Sequence, residues 1–202
     1  CVHTPARAER HRAAGGLTGM QDRYAGDVGD YVKLGLLRAL APGESLAVAW
    51  YRTPDEDHNS DGRHITYLDS PDGEIARLDP DLFDHLRSVT RSERSIRSLL
   101  PVLPGARSSD TALDMMAVPA RQRRAWRTRW FDQVVADLDG CDLVFADPDN
   151  GIVDDADRRK GHKVFGKLMP LAEVQALAQG RIAVIYHHNT RRKGGHDAEV
   201  DH

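Results

Sequence analysis

The residues best suited to chemistry lie in Leu143-Val-Phe-Ala-Asp147-Pro148-Asp149-Asn150-Gly151, where an apolar run delivers carboxylate, proline, carboxylate and amide in succession. Asp147 can accept a hydrogen from an amine or bind a metal, and Asn150 can pair with the same amine. Pro148 restricts the backbone of Asp147, and Gly151 lets backbone approach a ligand. An Asx-rich turn that merely closes a strand has the same composition. A second apolar run ends in Tyr186-His187-His188 and leads into Asn189, Arg191, Arg192, Lys193 and His196. Adjacent histidines on a strand face opposite ways, so one of them is expected in a site, and His187 is taken as that one. Asp147, Asn150 and His187 are thus the expected catalytic residues, with Arg191 and Lys193 placed to meet substrate. The same residues allow a metal reading, in which Asp147, Asp149 and His187 hold one or two divalent cations. His187 with His196 and Asp197 is a weaker ligand set.

Two other clusters carry charge. The loop Asp55-Glu56-Asp57-His58-Asn59-Ser60-Asp61-Gly62 has the composition of a cation-binding loop but lacks the EF-hand spacing and its closing Glu. Arg121, Arg123, Arg124, Arg127 and Arg129 surround Trp126 and Trp130. Such a face can contact phosphates, with a ring to stack on a base, although the helical spacing of the tryptophans points to a core.

Elements that would position these residues follow from periodicity. The spacing predicts a helix from Asp30 to Ala41, capped by Asp27 or Asp30, with Val32, Leu36, Ala39 and Leu40 on its apolar face. Pro42-Gly43 ends it, and Ser45 to Tyr51 reads as a buried strand. Arg63 to Leu68 reads as a short strand. Asp79 to Val89 reads as a helix burying Leu82, Phe83, Leu86 and Val89, and Arg91 to Leu100 as a short second helix. Pro101 to Pro119 reads as a long loop within one domain. Beyond it come a helix from Ala120 to Leu138, a strand over Cys141 to Ala146, a helix from Leu171 to Ala178 and a strand over Arg181 to Tyr186. Fully apolar strands alternating with helices predict an α/β fold. Its sheet is mostly parallel, of the Rossmann type, with helices on both faces and ligands beyond the carboxyl ends of the strands. The chain runs only to His202 past the last expected strand, which allows for truncation of a further sheet element at the C-terminus.

The chain of 202 residues fits one domain over residues 20–202, preceded by an extension over residues 1–19 that lacks periodicity and is expected to be disordered. With 40% hydrophobic and 29% charged residues the composition is that of a folded protein, and a formal charge of −3 recruits no nucleic acid globally. Two cysteines make no disulfide framework. There is no apolar run of membrane-spanning length and no signal-peptide core, so a soluble, cytoplasmic protein without a membrane partner is expected.

Two segments carry a family resemblance: the opening Tyr24-Ala-Gly26-Asp27-Val-Gly-Asp30-Tyr-Val-Lys33 and the strand ending in Asp147-Pro148. Together they resemble the bacterial adenine-N6 methyltransferases that act on large-subunit ribosomal RNA, S-adenosylmethionine-dependent enzymes of the class I fold. The resemblance implies a methyltransferase-like sheet, contacts from Tyr24 and Lys33 to substrate or cofactor, and an Asp147 that orients the adenine amine. By their place after the first strand, Asp55, Glu56, His58 and Asn59 are possible site residues, with Asp55 and Glu56 expected to meet the cofactor. The family's Asp-Pro-Pro-aromatic motif reads here as Asp147-Pro148-Asp149-Asn150, without the ring that stacks on an extruded base. Tyr51 to Glu56 lacks the family's glycine-rich turn. The opening, taken with Asp-Pro-Asp-Asn-Gly and Tyr-His-His, also resembles a second bacterial family, to which the resemblance attaches no activity.

Three expectations follow. The leading one is a methyltransferase-like enzyme acting on RNA, DNA or a nucleotide, with S-adenosylmethionine as cofactor and adenine-N6 transfer as the reaction. A metal-dependent nuclease or phosphodiesterase and a noncatalytic binding module on the same fold are the alternatives.

Overall fold

The computed structural model describes residues 22–53, 62–92, 94–109, 111–156 and 160–187. Its centre is a four-stranded parallel sheet. The strands are β1 (Leu46–Ala49), β2 (Arg107–Ser109), β3 (Leu143–Ala146) and β6 (Ile182–Ile185), ordered β2-β1-β3-β6. A separate parallel pair joins β4 (Ile152–Val153) to β5 (Met169–Pro170). Helices α1 (Val28–Leu40), α2 (Glu74–Leu78) and α3 (Pro80–Arg91) precede β2, and α4 (Arg123–Asp137) and α5 (Leu171–Leu177) precede β3 and β6.

Strand alternation sorts the core into two layers. Leu46, Val48, Trp50, Leu143 and Phe145 pack with Tyr31, Leu34 and Leu37 of α1 and with Leu82, Phe83, Leu86 and Val89 of α3. Ala47, Ala49, Tyr51, Val144 and Ala146 pack with Trp130, Phe131 and Val134 of α4 and Leu177 of α5. The fold is therefore α/β with helices on both faces of a parallel sheet. Burial of the four apolar residues of α3 stabilises by about 1.5–3 kcal/mol each as an upper bound. Asp79 caps that helix by accepting from Leu82 N, and Pro80 opens it, where a missing N–H costs nothing.

The strand order locates the ligand edge. From β1 the chain goes to β2 on one side and returns through α4 to β3 on the other, so the crevice beyond the carboxyl ends of β1 and β3 is a topological switch point. No helix among the described residues is long and apolar enough to cross a membrane.

Several expectations change. In α1 the residues Val32, Leu36 and Leu40 are exposed, at 65, 47 and 43%, and Ala39 is exposed as well; the buried side is Asp30, Tyr31, Leu34 and Leu37. The helix is rotated because Asp30 and Lys33 find partners inside. Arg63 to Leu68 is no strand: Thr66–Asp69 forms a 3-10 turn that buries Leu68, and the Tyr67 hydroxyl donates to Gly26 O at 3.2 Å. The short helix expected over Arg91 to Leu100 is a 3-10 helix over Ile96–Val102 with Pro101 inside it. The long loop after Pro101 contains β2, which pairs with β1 through its backbone. Residues 1–19, and with them the expected N-terminal extension, lie outside the described residues.

Candidate functional site

At the carboxyl ends of β3 and β6 the protein has a cleft of about 420 Å³. Its described lining includes Asp30 and Lys33 from α1, Asp147, Asp149 and Asn150 after β3, and Tyr186 after β6, with Tyr24, Asp27 and His64 at the rim. Because α1 leads into β1, its first turns lie at the carboxyl edge of the sheet, which brings the opening segment to the end of β3.

Lys33 is the hub. Its Nζ donates to Asp147 Oδ2 at 2.7 Å, pairs with Asp30 Oδ1 at 2.9 Å and sits 4.9 Å from the centre of the Tyr186 ring. Asp30 and Asp147 are 2 and 3% exposed. Burial pushes the Asp30 carboxyl above its ordinary range, against the pull of Lys33. Burial also pulls on the Lys33 ammonium, but Asp147 and Asp30 outweigh it and hold the group above its ordinary value. The second oxygen of Asp30 accepts from Gly26 N at 2.9 Å. Asp147 differs: among the described residues its Oδ1 accepts no hydrogen bond, and the carboxamide of the exposed Asn150 has no partner. Two carboxylates around one ammonium leave the cluster with one negative charge in excess, and with a free acceptor at the cleft.

The loop after β3 is held from below. Asn150 N donates to Lys167 O at 2.7 Å, Lys167 Nζ pairs with Asp149 at 3.2 Å, and Met169 N donates to Gly151 O at 2.9 Å. Gly151 has φ +76, a conformation that L side chains rarely adopt, so a glycine makes this turn. Asp27 caps α1, accepting from Gly29 N at 3.1 Å and from His64 N at 3.0 Å, which ties the cleft rim to the helix.

The structure brings Asp147, Asn150, Lys33 and Tyr24 into one cleft, but it does not bring in His187. The Nδ1 of His187 accepts from Ile152 N at 2.9 Å, so it supports the β4 backbone, and it is not among the described lining residues. Of the expected metal set, Asp147 and Asp149 both line the cleft, paired with Lys33 and Lys167, while His187 accepts from Ile152 N. Among the described residues no three His, Cys, Asp or Glu side chains are grouped to hold a metal. Asp55, Glu56, His58, Asn59, His188, Arg191, Lys193, His196 and Asp197 lie outside the described residues.

Arg127 corrects the reading of the basic helix. It is 4% exposed and bonds Glu173 through Nε at 2.8 Å and Nη2 at 2.7 Å, so it is a core anchor and not a phosphate contact. Trp130 is buried with its Nε1 donating to Thr111 O at 2.8 Å. Sequence reasoning missed Asp30 as an inward carboxylate, and also Tyr186 as a lining ring. The i, i+3 spacing of Asp30 and Lys33 was the available signal for the first. No family model, curated protein or solved structure matches the chain.

Proposed function

We propose that the chain is a methyltransferase-like enzyme acting on the amine of a nucleobase, in a nucleic acid or a nucleotide, with Asp147 and Asn150 as its amine-binding pair. The observation that carries this reading is the 2.7 Å bond between Lys33 and Asp147. The two segments that resemble the adenine-N6 methyltransferases are 114 residues apart in the chain and meet in one cleft beyond the carboxyl ends of β3 and β6.

The segment leaving β1, where that family seats its cofactor, fits a polar ligand in one respect. Trp50 Nε1, Arg52 Nε and Thr53 Oγ1 are buried there without a hydrogen-bond partner among the described residues. Buried unpaired donors and hydroxyls cost about 1–3 kcal/mol each, a cost that a bound polar group removes. Bound S-adenosylmethionine would supply a methyl group on a sulfonium.

The chain's own residues bind and orient. With Oδ2 of Asp147 held by Lys33, Oδ1 is left to accept an N–H of the amine, and the Asn150 carboxamide oxygen can accept the other. Two such bonds fix the nitrogen and its lone pair, so the catalytic contribution is positional, a matter of proximity and alignment. Transfer of labelled methyl from S-adenosylmethionine to RNA, DNA or adenosine tests the reading. We expect transfer by the wild type and none by Asp147→Ala, whose unfolding transition should persist. Unchanged turnover in a folded Asp147→Ala protein would dismiss the assignment.

A further inference from the structure

Helix α1 turns its charges in and its apolar residues out. Asp30 and Lys33 enter the cleft cluster, and Arg38 donates to Asp79 at 2.7 Å and to Val102 O at 2.9 Å. Its exposed residues, Val28, Val32, Leu36, Ala39 and Leu40, are all apolar. A helix that is apolar on its outer side as well as its inner side is the kind that is covered on both. One flank is closed within the chain, where the Tyr31 hydroxyl donates to Ile75 O at 2.6 Å and Gly35 lies against Leu82 of α3.

The outer side stands open, and the apolar surface continues onto the sheet. Ile182, the first residue of β6, is 56% exposed and shares a face with Val184, which packs on the α1 layer of the core. β6 is an edge strand, and Lys33 of α1 reaches the Tyr186 ring at its end. Contiguous exposed apolar surface of this kind marks a docking site.

Val28, Val32, Leu36 and Leu40 recur every fourth residue and form a single ridge. Two such ridges interdigitate when their helices cross at about −50°. Complementary charge selects an unlike partner, and the exposed side of α1 carries no charged side chain with which to select one. An uncharged ridge is matched by an identical ridge turned about a two-fold axis. The chain has no other segment of this pattern to lay there: outside the described residues its large aliphatic side chains are Val2, Leu17, Met20 and Val200, no two of them four apart.

We propose that α1 packs against α1 of a second copy of this chain across a two-fold axis, with Val32 and Leu36 at the centre and Ile182 toward the periphery. The inference stands apart from the reaction assigned to the cleft. A helix of 13 residues is roughly 20 Å long, so a crossing of two buries less than the ~800 Å² per partner of a standard interface. The dimer is accordingly a weak one, with a dissociation constant of about 1–100 μM.

Sedimentation velocity from about 1 to 300 μM, a range that brackets this constant, is the test. The wild type should move from its monomer mass of 22.4 kDa toward twice that value as concentration rises. A double variant Val32→Glu, Leu36→Glu and a double variant Val32→Lys, Leu36→Lys should each stay monomeric with an unchanged circular dichroism spectrum. An equimolar mixture of the two should dimerise again, because opposite charges then face each other across the seam. A wild type that is monomeric throughout would overturn the proposal, even if a lipid vesicle or another protein bound the stripe. So would an acidic double variant that still dimerises, which would place the interface elsewhere, or a mixture of folded variants that stays monomeric. The wild-type mass is read without any substitution, so a variant that does not fold leaves the proposal exposed to refutation.

Discussion

On one face of the sheet Arg127 lies among Tyr51, Trp130 and Phe165, with ring centres 5.0–5.5 Å from its guanidinium carbon. It gives two bonds to Glu173, one to Phe165 O and one to Leu168 O, and the Tyr51 hydroxyl donates to Glu173 at 2.8 Å. On the other face Lys33 lies between Asp30 and Asp147 beside Tyr186. Both clusters put charge under aromatic rings near the same strand ends. The Arg127 cluster is balanced, one cation to one anion, with each of its three guanidinium nitrogens donating. The Lys33 cluster has an excess carboxylate and an acceptor facing a cleft. A buried network that is satisfied rigidifies, whereas one that lacks a partner is poised for a ligand. We therefore assign the first to the scaffold and the second to function. The assignment also explains how the two cooperate: Arg127 grips the carbonyls of Phe165 and Leu168, and Lys167 between them holds the Asp149 and Asn150 loop.

The comparison breaks most visibly at Arg127. Its replacement in Arg127→Met strands a buried Glu173 and should cost about 3–5 kcal/mol, or roughly 6–20 °C in a thermal scan. A change below about 1 kcal/mol would remove the scaffold role. Asp147→Asn should leave the Lys33 cluster balanced, one cation to one anion. Methyl transfer should fall at least about 100-fold, equivalent to ~2.7 kcal/mol. Its unfolding free energy, measured by urea titration, should fall by less than that of Arg127→Met. At the cleft rim Gly62 has φ +77, and an added Cβ would overlap Tyr24 and come within 2.8 Å of Arg23 O. Gly62→Ala should therefore destabilise by about 1–3 kcal/mol and weaken adenosine binding, read by titration.

The smallest effects are in alkali. Burial, then Glu173, raises the Tyr51 hydroxyl well above its ordinary 10.0. The unfolded chain therefore loses this proton first, and the stability it carries is complete below pH 10 and lost above it. Lys33, raised above 10.5 by Asp147 and Asp30 against burial, follows the same sign: its contribution is complete below pH 10.5 and falls as pH rises further. The stability gap between wild type and Tyr51→Phe, and that between wild type and Lys33→Met, should each narrow as pH rises past these values. A gap that is constant from pH 8 to 11 would contradict the assigned couplings.

The sequence made the fold's centre legible because β1, β3 and β6 are continuous apolar runs, and α3 carries its core residues at helical spacing. β2 was hidden, since Arg107-Ser-Ser109 has no apolar pattern and joins the sheet through its backbone. The orientation of α1 was misread for a related reason. Apolar periodicity favours Val32, Leu36 and Leu40, yet the helix turns Asp30 and Lys33 inward because Lys33 has a partner 114 residues away. The place of Asp147 and Asn150 in the cleft was legible in their strand-end position. The supporting role of His187 was not, because two adjacent histidines carry no sign of which backbone amide one will accept from. Arg127 shows the same limit, since its partner Glu173 lies in a different helix.

Thermal unfolding of chelator-treated protein with and without S-adenosylhomocysteine tests the central claim most directly, that the Lys33 and Asp147 cleft belongs to a methyl-transfer site. At about 100-fold over the dissociation constant the ligand should stabilise by ~2.7 kcal/mol, an upward shift of roughly 5–11 °C. An unfolding temperature unchanged by saturating S-adenosylhomocysteine, but raised by manganese or magnesium, would contradict methyl transfer and favour metal-dependent hydrolysis.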